Sequence, residues 1–156
     1  MIRLANILYP TDFSELSLQA LTYARSFAEA YRGRLHCIHV VDEAYQYWAS
    51  VGPDGMAIGP PMGDLVKKAT EDLKAFVADH IPVGEAEVPR EVRVGRPFVE
   101  IISYARTHEI DLIVIATHGR SGLKHVLLGS TAERVIRKAP CPVLTVRHPQ
   151  HDFVMP

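Results

Sequence analysis

The fold of this chain is decided by the stretch Asp111–Val146, which reads DLIVIATHGRSGLKHVLLGSTAERVIRKAPCPVLTV. Leu112–Ala116 is a continuous apolar run of β-forming residues, which is typical of a strand buried on both faces. A polar loop with several glycines follows over Thr117–Gly129, and loops of that length are usually functional or disordered. Ser130–Ala139 has the apolar period of a helix, and Pro142–Val146 is a second apolar run. The stretch therefore predicts a strand, a long loop, a helix and a further strand.

The earlier part of the chain has the same alternation of strands and helices. Apolar runs predict strands over Leu4–Tyr9, Leu35–Val41 and Val88–Val94. Helices are predicted between a cap at Thr11 or Asp12 and a stop at Gly33, over Asp64–His80, and from Pro97 onward. This alternation predicts an α/β fold, an open five-stranded parallel sheet with helices on both faces. Right-handed crossovers and the commonest winding of such sheets predict the strand order 3-2-1-4-5.

The chain of 156 residues is predicted to form a single domain over residues 1–147, followed by a tail over residues 148–156. Residues 42–63 interrupt the alternation with glycines and prolines, and we interpret them as an irregular insertion. Its aromatic residues, Tyr45, Tyr47 and Trp48, leave three roles open. They could form a lid over a ligand, pack across a dimer, or cover the second long helix.

Composition argues against several classes of partner. The chain carries 17 Lys and Arg against 18 Asp and Glu, so no strong field favours nucleic acid or an anionic membrane. No apolar run approaches the length of a membrane span, and the N-terminus lacks the cleavage site of a signal peptide. Cys37 and Cys141 have neither redox nor zinc spacing, which is typical of reduced thiols. We therefore expect a cytoplasmic protein without a nucleic-acid or membrane partner.

Two polar segments are predicted to meet between strands one and four, where the winding of the sheet reverses. Open α/β sheets bind ligands at this point, outside the carboxyl ends of the strands. Pro10-Thr11-Asp12 leaves strand one there, and the loop from Ala116 to Gly129 leaves strand four. The helix that opens on Gly129-Ser130-Thr131 presents unpaired backbone N–H groups and two hydroxyls, which together could bind an anion such as phosphate.

The candidate ligand-binding residues have structural alternatives. Asp12 could cap the first helix, accept from a ribose hydroxyl or an adenine amine, or do both, and it could also help to hold Mg²⁺ beside phosphates. Ser130 either binds phosphate or only caps its helix. The backbones of Val40 and Val41 could pair with a purine edge. The loop offers further candidate donors to phosphate, namely His118, Gly119, Arg120, Ser121 and Lys124.

No catalytic apparatus and no metal site are predicted. The sequence contains no G-x-x-x-x-G-K-[ST] phosphate loop, no nucleophile elbow and no catalytic pair of carboxylates. His36 and His39 lie an odd number of residues apart on one strand, so we expect their side chains to point to opposite faces.

Two segments of the chain resemble the universal stress protein family. ILYPTDFSELSLQAL resembles its first strand and turn, and DLIVIATHGRSGLKHVLLGSTAERVIRKAPCPVLTVR resembles its C-terminal signature, so the resemblance spans Ile7–Arg147. The ATP-binding branch of the family carries the motif G-x2-G-x9-G-[ST]. Gly119 and Gly129-Ser130 match its second and third glycines and its hydroxyl residue. Ala116 stands at the position of the first glycine.

The resemblance implies an adenine nucleotide alpha hydrolase-like fold and ATP, or another adenine nucleotide, as the ligand. It implies adenine near Asp12 and Val41 and ribose near the end of strand four. The phosphates would then lie on Gly119, Gly129, Ser130 and Thr131. It also implies a homodimer through the last strand, and the uncharged edge Pro142–Val146 favours such pairing.

Three functions remain open at this point. The first is a regulatory, nucleotide-binding protein of the stress response, with slow ATP hydrolysis at most. The second is a nucleotide-independent dimeric interaction module, which Ala116 favours because its Cβ hinders the approach of phosphate to the backbone. The third is an enzyme of a related α/β class, such as a nucleotidyl transferase or phosphatase. The lack of a nucleophile or general base counts against that third function.

Overall fold

The computed structural model describes residues 1–44, 59–81, 88–117 and 128–147. The strands are β1 (Asn6–Pro10), β2 (Arg34–Asp42), β3 (Arg90–Gly95), β4 (Leu112–Ala116) and β5 (Val143–Val146). The helices with defined bounds are α1 (Glu15–Tyr31), α2 (Met62–His80), α3 (Pro97–Thr107) and α4 (Ser130–Lys138). β4 and the start of α3 have the bounds that the sequence predicts, because an apolar run and an N-terminal proline mark them clearly.

The strands form one parallel five-stranded sheet in the order β3-β2-β1-β4-β5, which confirms the predicted topology. β1 is the central strand, and its Ile7 is in register with Leu35 of β2 and with Leu112 of β4. Ile7, Leu8 and Tyr9 have no solvent exposure. A strand with neighbours on both edges and helices on both faces has no side open to water, so its sequence is apolar throughout.

Two hydrophobic cores confirm that helices cover both faces. One core joins α1 and α2 to the sheet and includes Tyr9, Cys37, Val114, Ala20, Leu73 and Phe76. The other joins α3 and α4 to the sheet and includes Leu8, Ile38, Ile113, Ile101, Tyr104 and Val135. Successive residues of a strand alternate between these cores. The same alternation separates two histidines of β2 as predicted: His36 contacts Tyr104, and His39 stacks on Phe13.

The ends of α1 differ from the prediction. The helix is capped by Ser14 rather than by Thr11 or Asp12, and the Ser14 hydroxyl accepts from the N–H of Ser17 at 3.2 Å. At the other end the left-handed residue is Arg32, with φ of 53°, and not Gly33. Gly33 is required for a different reason, since a Cβ there would overlap the carbonyl oxygen of Leu4. Glycine is therefore needed at position 33 because its backbone lies so close to the backbone of Leu4.

Several predictions concern residues outside the described ranges. These residues are the aromatic group Tyr45, Tyr47 and Trp48, the tail over residues 148–156, and most of the loop after β4. The division into one domain with an insertion and a tail therefore stays a prediction. Within the described ranges, no helix combines the length and the apolar character needed to cross a membrane.

Candidate functional site

A cavity of about 600 Å³ opens at the carboxyl ends of β1, β2 and β4, where the winding of the sheet reverses. The first turns of α3 and α4 and one side of α2 complete its wall. The predicted site residues that line it are Pro10, Thr11, Asp12, Val40, Val41, Ala116, Gly129, Ser130 and Thr131. His118, Gly119 and Arg120 lie outside the described residues. The structure thus brings together the two distant polar segments that the sequence places at the reversal.

The turn after β1 gives Asp12 a role that differs from helix capping. Its Oδ1 accepts from the N–H of Ser14 at 3.0 Å and from the Ser14 hydroxyl at 2.6 Å. Phe13, between them, has φ of 64°, a left-handed conformation that bulky residues rarely adopt. Asp12 therefore holds the capping residue from outside the helix, while its side chain forms part of the cavity wall.

A buried chain of hydrogen-bonded hydroxyls from Tyr9, Ser17 and Thr11 stabilises this turn. The Tyr9 hydroxyl donates to the Ser17 carbonyl at 2.8 Å and lies 2.6 Å from the Ser17 hydroxyl. Because its single hydrogen goes to the carbonyl, the Ser17 hydroxyl donates to Tyr9, and the Thr11 hydroxyl donates to Ser17 at 2.6 Å. The Thr11 oxygen in turn accepts from the N–H of Phe13 at 3.0 Å. Burial raises the pKa of Tyr9, so its hydroxyl stays protonated and keeps this direction fixed.

His39 and Phe13 form an aromatic part of the wall that the sequence analysis missed. Their rings stack with centroids 4.4 Å apart, and both residues line the cavity. The Nδ1–H of His39 donates to the Thr11 carbonyl at 2.8 Å, because a carbonyl can only accept. The sequence contained one indication of this role, because His39 lies on the same face of β2 as Val41, which was a predicted site residue. The sequence held no sign that the first turn would place an aromatic ring on that face.

The backbone of β2 presents Val40 rather than Val41 to the cavity. The Ile38 carbonyl accepts from Thr11 of the β1 turn at 2.9 Å, whereas the Cys37 N–H donates to the Pro89 carbonyl beside β3 at 2.8 Å. Backbone groups of alternate residues in a strand point to opposite edges. The N–H and carbonyl of Val40 therefore point to the side of β1, which has already ended there, and those of Val41 point to β3.

The start of α4 is not capped by a side chain of the described residues. Gly129 is the N-cap and Ser130 is the first helical residue, so the alternative in which Ser130 caps the helix is wrong. The Gly129 N–H donates to the Thr117 carbonyl at 2.6 Å, which holds the helix start against the end of β4. Glu133, in the first turn, is paired with Arg137 at 2.9 Å. The positive end of the helix therefore faces the cavity through backbone N–H groups.

A further part of the wall comes from α2, for which the sequence predicted a helix but no place at the site. Lys68 and Asp72 form an ion pair at 3.1 Å across one helical turn, and Leu65 and Ala69 add apolar surface. Helical period shows that such residues share a side, but not that this side faces a cavity. No group of three or more His, Cys, Asp or Glu in the described residues could hold a metal ion, so a role of Asp12 with Mg²⁺ stays a prediction.

The fold and the position of this cavity lead to a comparison with known proteins. The family model described as the Universal stress protein family matches residues 4–147, a span that contains every strand and helix given above. The chain belongs to the universal stress protein family.

Two relatives from one organism show how similar this universal stress protein is in sequence to other members of the family. Universal stress protein MJ0531 of Methanocaldococcus jannaschii is 34% identical over 146 residues, which cover 94% of this chain and 84% of the relative. Universal stress protein MJ0577 of the same organism is 32% identical over 152 residues, which cover 90% of this chain and 93% of the relative. The solved structure of MJ0577 has a TM-score of 0.79 at 30% identity, over 96% of this chain and 99% of that one. The likeness confirms the adenine nucleotide alpha hydrolase-like fold.

Two further solved structures share the fold at lower identity. A universal stress protein in complex with cAMP is 23% identical, with a TM-score of 0.58, and covers 93% of this chain and 98% of that one. A universal stress protein from Archaeoglobus fulgidus in complex with dAMP is 20% identical, with a TM-score of 0.59, and covers 94% of this chain and 99% of that one.

Proposed function

We propose that this universal stress protein binds ATP or a related adenine nucleotide in the cavity between β1 and β4, and that the nucleotide regulates its action in the stress response. The observation that carries the proposal is the cavity itself, which joins the uncapped start of α4 to the polar turn after β1. Proteins of the same fold were solved with cAMP and dAMP, which supports an adenine nucleotide as the class of ligand.

The energetics require that the whole cavity takes part. A helix N-terminus stabilises an anion by about 0.3–1 kcal/mol, or about 2 kcal/mol when partly buried. Micromolar affinity requires about 8 kcal/mol, so the start of α4 cannot hold a nucleotide alone. Charge-assisted hydrogen bonds contribute about 1.5–3 kcal/mol each, and burial of the base supplies the rest. A volume of about 600 Å³ lies within the usual range for small-molecule sites.

The two ends of the cavity fit the two ends of a nucleotide. Ser130 and Thr131 offer N–H groups and hydroxyls to phosphates at one end. At the other end the exposed backbone edge of Val40 offers a donor and an acceptor, which is the pairing pattern of an adenine edge. Leu65 and Ala69 supply apolar surface for the ring. We propose that Asp12 accepts from the ribose or the base between these ends.

Nucleotide extraction and titration test the proposal. The protein is purified, denatured and analysed for released adenine nucleotide, and ATP is then titrated into wild type and Gly129→Val. Gly129 has φ of −67° and ψ of 149°, a conformation that valine adopts readily, so we expect the variant to fold. Its side chain would fill the phosphate end, and we expect ATP affinity to fall at least about tenfold. Equal binding by both proteins would remove the start of α4 from the site.

We further propose that the protein forms a homodimer through β5. This strand is an edge of the sheet, and its sequence VLTV carries no charge to prevent pairing with a second copy. The Pro142 and Val146 carbonyls accept from β4 and its extension, so backbone groups of alternate residues, including Thr145, point outward.

This alternation defines a sharp test of the dimer. Thr145→Pro removes an outward N–H and leaves the pairing with β4 intact, whereas Thr145→Val keeps the N–H and serves as the matched control. We expect sedimentation equilibrium at micromolar concentration to show a dimer for wild type and Thr145→Val and a monomer for Thr145→Pro. A monomeric wild type would contradict the proposal. A dimer that binds no nucleotide would instead support the interaction-module function.

A further inference from the structure

Two cations of α4 share one aromatic ring beside the cavity. The guanidinium carbon of Arg134 lies 5.1 Å from the centroid of the Phe98 ring, and the Nζ of Lys138 lies 5.8 Å from the same centroid. Phe98 is half-buried against the core beneath α3 and α4. A cation over an aromatic face is attracted electrostatically, so the Phe98 ring holds the guanidinium of Arg134 in one position.

The charge of Arg134 is not balanced by its neighbours on the helix. The residues three and four positions away are Ser130, Thr131, Arg137 and Lys138, and none of them is acidic. Like charges four residues apart, as at Arg134 and Lys138, destabilise a helix slightly. Within the described residues Arg134 forms no ion pair, and its guanidinium is held by the Phe98 ring rather than by a carboxylate.

The Phe98 ring that Arg134 contacts lies next to the phosphate end of the cavity. Phe98 directly follows Pro97, which lines the cavity at the start of α3. Ser130 and Thr131, which also line it, lie one turn before Arg134 on the same side of α4. Arg134 and Phe98 do not themselves line the cavity, but each lies beside residues that do, so the guanidinium is held at the edge of the cavity.

We propose that Arg134, held on Phe98, is a specificity-determining residue that reads the distal phosphates of the bound nucleotide. The inference rests on the proposed nucleotide site and adds a preference to it: nucleoside di- and triphosphates bind more tightly than monophosphates. A monophosphate ends at the first turn of α4. A longer phosphate chain would extend beyond that turn toward the edge between α3 and α4, where the guanidinium offers a fork of donors that suits phosphate oxygens.

Calorimetric titration of the full-length chain with ATP and with AMP tests this role. Arg134→Gln removes the charge, and Arg134→Lys restores it without the fork. Arg106→Gln changes the net charge equally at the far end of α3 and serves as the control. We expect Arg134→Gln to weaken ATP binding about fivefold, the effect of one exposed charge contact, and to change AMP binding less than about twofold. The loss should shrink at high salt, and Arg134→Lys should recover part of it.

A purely structural role for Arg134 predicts a different pattern. Loss of its contact with Phe98 would lower the melting temperature and leave the ratio of ATP to AMP affinity at the wild-type value. That unchanged ratio, or an equal loss for both ligands, would overturn the inference while the nucleotide site stands. A change of the ratio in Arg106→Gln as large as in Arg134→Gln would also overturn it. Binding of neither nucleotide by wild type would overturn the inference together with the proposed function.

Discussion

The N–H of Gly129 donates to the carbonyl of Thr117 at 2.6 Å, and this bond closes the segment between β4 and α4 at its base. Thr117 is itself buried, and its N–H donates to the Val146 carbonyl at the end of β5 at 2.9 Å. The start of α4 is therefore fixed against two strand ends. These bonds hold the start of α4 in the orientation that turns its N–H groups toward the cavity.

Gly33 and Gly63 should respond to alanine in opposite ways. A Cβ at Gly33 would overlap the Leu4 carbonyl oxygen, so Gly33→Ala must displace backbone and should destabilise the fold by about 2–3 kcal/mol. Gly63 lies in α2, and a Cβ added there would meet no neighbouring group within 4 Å, so Gly63→Ala should stabilise by about 0.5–1 kcal/mol. Urea denaturation of both variants measures the difference. Similar effects at the two positions would refute the close approach at Gly33.

Ser14→Ala should identify the capping residue of α1. The substitution removes the acceptor for the Ser17 N–H and the donor to Asp12, so we expect a loss of about 1 kcal/mol in the free energy of unfolding. Ser26→Ala is the matched control, because Ser26 lies inside the same helix and its exposed hydroxyl donates to the Thr22 carbonyl one turn earlier. A loss in the control equal to that in Ser14→Ala would contradict the assignment of the cap.

Tyr9→Phe should weaken the turn that carries Asp12. Without the phenol oxygen, the buried Ser17 hydroxyl loses its acceptor, which should cost about 1–3 kcal/mol. The loss should also lower nucleotide affinity, because the chain from Tyr9 through Ser17 to Thr11 holds the left-handed Phe13. Tyr31→Phe removes an exposed hydroxyl at the end of α1 and should change neither property. Denaturation and ATP titration of the two variants provide the comparison.

His36 should make stability depend on pH in the acid range. Burial, aided by the charges of His108 and Arg34, lowers its pKa from 6.5 to about 4. Its Nε2–H donates to the Asn6 side chain at 3.4 Å, and its Nδ1 accepts from the Tyr104 hydroxyl at 2.9 Å, which is the neutral tautomer.

The direction in which stability changes with pH follows from this lowered pKa of His36. Between pH 6.5 and 4 the unfolded chain binds a proton at His36 that the folded chain does not, so stability falls as the pH falls through this range. The stabilisation that neutral His36 contributes to the folded state is fully present above pH 6.5 and amounts to about 3 kcal/mol at most. His36→Gln offers the same donor and acceptor without titrating, so its stability should fall less between pH 6.5 and 4. Parallel pH profiles of wild type and variant would contradict the buried neutral histidine.

Local pattern was enough to predict the sheet and most of its elements. The run Leu112–Ala116 is apolar at every position because a central strand meets no water, and Pro97 marks a helix start because its fixed φ and missing N–H suit that position. The order of the strands then follows from the handedness of crossovers, which does not depend on individual side chains. The meeting of two distant polar turns follows from the order in the same way.

Local pattern could not choose the cap of α1 or find all of the cavity wall. Thr11, Asp12 and Ser14 are all good capping residues, and the choice among them depends on the left-handed turn at Phe13. That turn is held by a hydroxyl from α1 and by the ring of His39 from β2. Such contacts join segments far apart in the chain, so they exist only after the sheet has formed.

The sequence by itself therefore determined the family, the strand order and the edge of the sheet at which the cavity opens, because period, turn residues and chirality are properties of short segments. The tertiary structure decided which atoms face that cavity. It turned the backbone of Val40 inward, left the start of α4 without a side-chain cap among the described residues and seated Arg134 on Phe98. These outcomes depend on the packing of side chains from several elements, and no single segment contains that information.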